Sequence, residues 1–151
     1  MYGDLNQEQI ETILKQNAVG RLGCHAHGKT YIVPIGYAYD GDSIYSYSGS
    51  GLKVEMMREN PNVCFEVDHY ASLTNWKSVV CWGRYEELHG KDAEHGVQVL
   101  TRHFQDLTIQ DENMLTYGQR IVAETAGAGA PKEPVVYRIR LAEKTGRYEL
   151  K

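Results

Sequence analysis

VGRLGCHAHGKTYIVPIGYAYDGDSIYSYS, residues 19–48, decides the fold of this chain. Its first run, Val19 to Ala26, passes through His27-Gly28-Lys29 into a second run, Thr30 to Ala38. Tyr39-Asp40-Gly41-Asp42 follows, and its Asp-Gly pair is a strong hairpin signal ahead of a third run, Ser43 to Ser48. Runs this short, rich in Val, Ile, Thr and Tyr and separated by turn residues, read as strands of an antiparallel meander.

Outward from this core the pattern alternates between strands and isolated helices. On the N-terminal side Asp4 can cap a helix with Gln7 as its capping-box partner, and Ile10, Ile13 and Leu14 share one face. That helix is expected to run to about Gln16. On the C-terminal side Ser48-Gly49-Ser50-Gly51 opens a short helix, Leu52 to about Glu59, which Asn60-Pro61 stops. Asn62 to His69 alternates Val63, Phe65 and Val67 with polar residues and reads as a strand, with Tyr70 to Asn75 a loop. Trp76 to Leu88 is a long strand with a bulge or bend expected at Gly83. Lys91 to about Asp106 reads as a third helix, and Val97, Leu100, Phe104 and Leu107, which recur at helical spacing, should pack it on the sheet. Thr108 to Pro134 carries the weakest pattern, with a helix expected around Tyr117 to Glu124 and a connector at Ala126 to Pro131. Val135 to Leu141 is the last expected strand.

Six strands, mostly in hairpins, with two or three flanking helices and no regular crossovers, argue against a doubly wound parallel sheet. The expected fold is mainly β (α+β): an antiparallel β-barrel, closed or partly closed, in a single domain spanning residues 1–151. Composition agrees, with 151 residues, 42% hydrophobic and 24% charged. A formal net charge of −4 argues against a nucleic-acid partner. No segment has the roughly 20 apolar residues needed to span a bilayer, and the N-terminus lacks the pattern of a signal peptide, so the expected location is cytoplasmic. Cys24, Cys64 and Cys81 form no C-x-x-C pair and are expected to be small buried thiols. Eleven tyrosines against two Phe and two Trp suit surfaces that are half apolar and half wet.

Three stretches could carry chemistry. Ser48-Gly49-Ser50-Gly51-Leu52-Lys53, between a strand and a helix, combines what a phosphate needs: close backbone approach at the glycines, serine hydroxyls, helix-start N–H groups and a cation. It lacks the spacing of a Walker A loop. In Tyr31-Ile32-Val33-Pro34-Ile35-Gly36-Tyr37 the proline marks an edge strand, where main-chain groups could read the polar rim of a flat ligand beside Val33 and Ile35. In Trp76-Lys77-Ser78-Val79-Val80 the serine could bond a ligand and the tryptophan shield it. His25 and His27 share a strand face without a matching third ligand, so no metal site is assigned. No nucleophile elbow or assignable triad is present, so catalysis would rest with a cofactor.

Gly20-Arg21-Leu22-Gly23, Tyr31 to Ile35, Ile44 to Lys53, Asn62 to Val67, Trp76 to Val80 with Gly83-Arg84, and Val136 to Arg147 occur in an order that resembles the pyridoxamine 5'-phosphate oxidase-like flavoproteins, in their nitroimidazole-reductase-like branch. The resemblance spans nearly the whole chain. It implies a six-stranded split barrel that forms a homodimer and binds flavin mononucleotide (FMN) between subunits. By position, Val33, Pro34 and Ile35 would line the flavin ring, Ser48, Gly49, Ser50, Gly51 and Lys53 would hold the phosphate end, and Trp76, Ser78 and Val79 would complete the pocket. Many relatives carry a histidine where this chain has Tyr47, so a role for that histidine does not transfer. The implied activity is an FMN-dependent oxidoreductase acting on a small organic molecule, with a nicotinamide nucleotide as a possible electron donor. Alternatives are a non-catalytic flavin-binding or storage protein, and a haem or deazaflavin binder on the same barrel.

Overall fold

The computed structural model describes residues 1–107 and 134–151. The elements run β1 (Tyr2–Asp4), α1 (Gln7–Gln16), β2 (Val19–Ala26), β3 (Lys29–Gly36), β4 (Ala38–Tyr39), β5 (Ser43–Ser48), α2 (Leu52–Glu59), β6 (Asn62–Ser72), β7 (Asn75–Leu88), α3 (Gly90–Leu107) and β8 (Val135–Leu150). All eight strands join one antiparallel sheet in the order β3-β2-β6-β7-β8-β5-β4, with β1 on the far part of β8. The expected helix around Tyr117 to Glu124 and the connector after it lie outside the described residues. Among the described residues no helix is long and apolar enough to cross a membrane.

The sheet is a split barrel whose two end strands are consecutive in the chain. β3 stops at Gly36 and β4 begins at Ala38, so the path steps from one end of the sheet to the other at Tyr37. The continuous strand expected over Thr30 to Ala38, and the three-strand meander built on it, are therefore corrected. Tyr37 breaks the run because its ring turns into the core, fully buried and edge-on to Phe65 at 4.8 Å between centroids. Its hydroxyl donates to the Leu14 carbonyl at 2.8 Å, and its N–H to the Ala18 carbonyl at 2.9 Å. Ser46 on β5 ties across the gap by donating to the Gly36 carbonyl at 2.7 Å.

Alternation sets the two faces. Leu22, Cys24 and Ala26 of β2, Val63, Phe65 and Val67 of β6, and Val79, Cys81 and Tyr85 of β7 turn inward and are buried. Val54, Met56 and Met57 of α2 join this core. A second cluster lies under α3, where Leu100 and Phe104 pack against Tyr45, Leu88 and Val136. The β2–β3 turn is tight because His27 and Gly28 both take positive φ, 54° and 74°. That matches the two-residue hairpin turns that suit strand twist.

Other sequence expectations shift in detail. Asn6, not Asp4, caps α1, and it forms a capping box with Gln9: 2.8 Å from the Gln9 N–H to the Asn6 side chain, 2.9 Å in return. Asp4 is instead in β1, opposite Arg147. β6 continues to Ser72, which shortens the expected loop. The last strand continues from Leu141 to Leu150, because it has partners along its whole length in β5, β7 and β1. The irregularity at Gly83 is present, but the extra residue is Ala142 on β8. A Cβ on Gly83 would stand 2.5 Å from the Arg140 carbonyl oxygen, so the close approach requires glycine. Cys64 departs from its expected burial: it lies half-exposed on the outer face of the sheet, while Cys24 and Cys81 are buried.

Candidate functional site

The β5–α2 junction brings the expected phosphate group together. Ser48 ends β5 on the same face as Ile44 and Ser46, and Gly51 is the N-cap of α2. Gly51 offers no side chain, so the first-turn N–H groups of this helix have no side-chain cap. Among the described residues a Cβ added at Gly49 or Gly51 would meet nothing within 4 Å, so none of them blocks the approach to this backbone. Lys53, in the first turn, is half-buried, and burial pulls its ammonium below the ordinary lysine range, against the opposing influence of Cys24. Its Nζ donates to the Ser48 hydroxyl at 2.7 Å, and that hydroxyl donates to the Gly49 carbonyl at 2.7 Å. Among the described residues Lys53 has no carboxylate partner. A partly desolvated cation that lacks a counter-charge, next to uncapped N–H groups, suits an anion with several acceptor oxygens. The residues present thus fit a phosphate group.

Among the described residues β3 is an edge strand, since it pairs only with β2 there. Pro34 sits on it opposite Arg21, where its missing N–H leaves no gap in a central ladder. Pro34 is exposed, Val33 is half-buried against the core, and Ile35 is buried within it. β3 therefore offers a ligand its main chain, Pro34 and the exposed Ile32.

Trp76 and Ser78 lie elsewhere in the chain. Ser48 pairs with Val135 of β8, whereas Ser78 pairs with Arg147, twelve positions further along. On the outer face Ser78 is three strands from β3, roughly 14 Å at about 4.8 Å per strand. Arg21 and Glu66 stand between. The Trp76 indole donates to Glu149 at 3.2 Å, and the Ser78 hydroxyl donates to Glu66 at 2.9 Å. Val79 faces inward, fully buried. Within one chain this group does not join the Ser48–Lys53 group.

The residues that sequence reading left out are those around Ser78. Burial raises the Glu66 carboxyl above the usual carboxylate range, neighbouring Asp68 adds to this, and Ser78 and Arg21 oppose it. Arg21 spans the two carboxylates at 3.6 Å and 3.5 Å. Their alternation with Phe65 and Val67 marked them as outward-facing, but nothing in the sequence joined them to Ser78. Beside them the outer face holds a groove of about 850 Å³. Gly23, Ile32, Cys64, Trp82 and Leu141 line it, together with Arg21 and Arg84. His25 bonds Thr30 at 3.0 Å while His27 sits in the turn, and no group of three metal-ligating side chains occurs among the described residues.

The family model described as pyridoxamine 5'-phosphate oxidase matches residues 6–148. An uncharacterized protein of Rhizobium meliloti (strain 1021) is 32% identical over 145 residues, 95% of this chain and 92% of that protein. Among solved structures, a FAD-binding protein from Mesorhizobium loti is 30% identical with a TM-score of 0.73, covering 98% of each chain. A candidate 5-nitroimidazole antibiotic resistance protein from Bacteroides thetaiotaomicron shares the fold at 20% identity and a TM-score of 0.71, covering 98% of this chain and 87% of that one. With a family match over residues 6–148 and relatives at 30% and 32% identity across nearly the whole chain, this split barrel belongs to the pyridoxamine 5'-phosphate oxidase-like family of flavin-binding split barrels.

Proposed function

We propose that this protein binds FMN and acts as a homodimeric oxidoreductase on a small organic molecule, with a nicotinamide nucleotide as electron donor. The observation that carries the cofactor reading is Lys53: half-buried, aimed by Ser48, and lacking a carboxylate partner among the described residues. The phosphate of FMN would lie against Lys53, the Ser50 hydroxyl and the first turn of α2, and the ring against the edge of β3. When bound, the flavin supplies the electron-transfer chemistry. The protein's own residues hold the ring, exclude water and set the polarity around it.

Two observations support a second copy. Trp76 and Ser78 stand apart from the phosphate group in one chain, so a pocket using both needs a partner's outer face. That face also exposes Ile32 and Trp82 around the apolar groove, and a covering subunit would remove them from water. FAD is the second reading of the cofactor, because the 30%-identical structural relative is a FAD-binding protein.

The absorption spectrum of the purified protein, with mass identification of the released ligand, tests the cofactor. FMN is expected, at higher affinity than riboflavin. Tighter binding of FAD would favour the second reading, and equal affinity for FMN and riboflavin would remove the phosphate assignment. Turnover of nicotinamide nucleotide with small organic acceptors tests the enzyme reading. A flavin reduced by none of these donors and reoxidised by none of these acceptors would leave a carrier or storage protein.

A further inference from the structure

Ser48 carries two hydrogen bonds that together restrict what it can do. Its hydroxyl has one proton, donated to the Gly49 carbonyl at 2.7 Å. Its oxygen also accepts from Lys53 Nζ at 2.7 Å. A phosphate offers only acceptor oxygens at high pH and mostly acceptors at neutral pH, so it needs donors. Ser48 has none left to give without breaking its bond to the loop. The Lys53 ammonium has three N–H donors and uses one on Ser48. Two remain, and the bond to Ser48 fixes the direction in which they point.

From this geometry we infer that Ser48 is a positioning residue rather than a phosphate ligand: it clamps Lys53 to the Gly49 carbonyl and thereby pre-orders the cation that reads the phosphate. The inference rests on the phosphate reading above and assigns its parts. The direct contacts fall to Lys53, the Ser50 hydroxyl and the α2 N–H groups. A flexible lysine that must be ordered by its ligand binds that ligand more weakly than one already in place. The clamp also links loop to helix, because one end is the main chain of Gly49 and the other a first-turn side chain of α2. The phosphate would meet a single pre-formed unit, and the effect of Ser48 would pass through Lys53 alone.

The test is a double-mutant cycle on Ser48→Ala and Lys53→Ala, with Ser48→Thr as the conservative variant. FMN and riboflavin affinities are measured by flavin fluorescence quenching, and thermal unfolding of each apoprotein checks the fold. Ser48→Ala is expected to weaken FMN by about two- to tenfold, the cost of one side chain ordered only on binding. It should leave riboflavin affinity unchanged. In the Lys53→Ala background it should cost nothing further, and Ser48→Thr, which keeps the hydroxyl, should restore wild-type affinity. Independent, multiplicative losses from the two substitutions would overturn the inference by making Ser48 a ligand in its own right. An unaltered FMN affinity in Ser48→Ala would overturn it as well. If Lys53→Ala itself leaves FMN and riboflavin undistinguished from wild type, the phosphate reading fails and the inference with it.

Discussion

Lys53 is the residue on which most of the functional reading turns, and its charge makes a sharp prediction. A charge-assisted contact to phosphate contributes about 1.5–3 kcal/mol, so Lys53→Ala should weaken FMN roughly ten- to a hundredfold. Lys29→Ala, at the exposed start of β3, should have no effect in the same fluorescence titration. The pH dependence follows from the sign of the shift. Burial holds the Lys53 ammonium below the ordinary value of 10.5, so as pH rises its charge is lost before that value is reached. The ratio of FMN to riboflavin affinity should therefore fall as pH rises, starting below 10.5, and a ratio flat to that pH would take Lys53 out of the site. Using the ratio cancels ionisation of the shared ring. Tyr47 gives the complementary case. It lies on the opposite face of β5 from Ser48, half-buried with the cluster under α3. Tyr47→Phe should keep flavin affinity, and a loss would make its hydroxyl a cofactor contact.

At the scale of elements, α1 is held to the barrel by two kinds of contact. Ile10, Ile13 and Leu14 bury its apolar face. Glu11 reaches Lys144 of β8 and the Tyr39 hydroxyl of β4. For Glu11, burial pushes the carboxyl up, but the bonds from Lys144 and Tyr39 and the charges of Lys144 and Lys15 outweigh it, and the net shift is downward. A carboxyl lowered in the folded state adds stability above its unfolded value, near 4.5, and loses that stability as pH falls through the folded value. Glu11→Gln should thus lower the urea midpoint at pH 7 and flatten its decline below about pH 5. Identical acid profiles for the two proteins would show that other carboxylates set the decline. The elements were legible where a local rule governed them. The Asp40-Gly41 turn, the stop at Asn60-Pro61 and the stripe of Leu100 and Phe104 all describe neighbours in sequence. The break at Tyr37 was hidden, because a tyrosine within a β-rich run gives no local reason to leave the sheet. Its partners come from two other parts of the chain, Leu14 and Ala18 around the end of α1 and Phe65 in β6. The extension of β8 past Leu141 was hidden in the same way, since Glu143 to Arg147 alternates no apolar residues and is strand only because β7 lies alongside. Within the candidate site the phosphate group was readable as one contiguous motif. The Glu66–Ser78 pairing was not, since only the β6–β7 register brings those residues together.

For the whole molecule, the outer sheet face makes the oligomeric state testable. A stable dimer should bury more than about 1,200 Å² in total. Ile32 and Trp82, 68% and 42% exposed, would anchor the proposed dimer on this face. Ile32→Glu should shift the protein toward monomer in light scattering across a dilution series and weaken FMN in parallel. FMN should raise the thermal midpoint by mass action, more strongly at higher cofactor concentration. A monomer at every concentration with full FMN affinity would place the entire site within one chain.

β8 also bears on how fast this molecule can form. It pairs with β1, β5 and β7, and its links to β1 join residues such as Tyr2 and Glu149 across almost the whole chain. Closing loops of that size costs entropy before the contacts that offset it exist, so refolding should fall in the slow, millisecond-to-second range of non-local β topologies. Until β8 is in place, the edges of β5 and β7 that it covers stay unpaired, so a partly folded chain in which β8 has not docked is the form most open to aggregation.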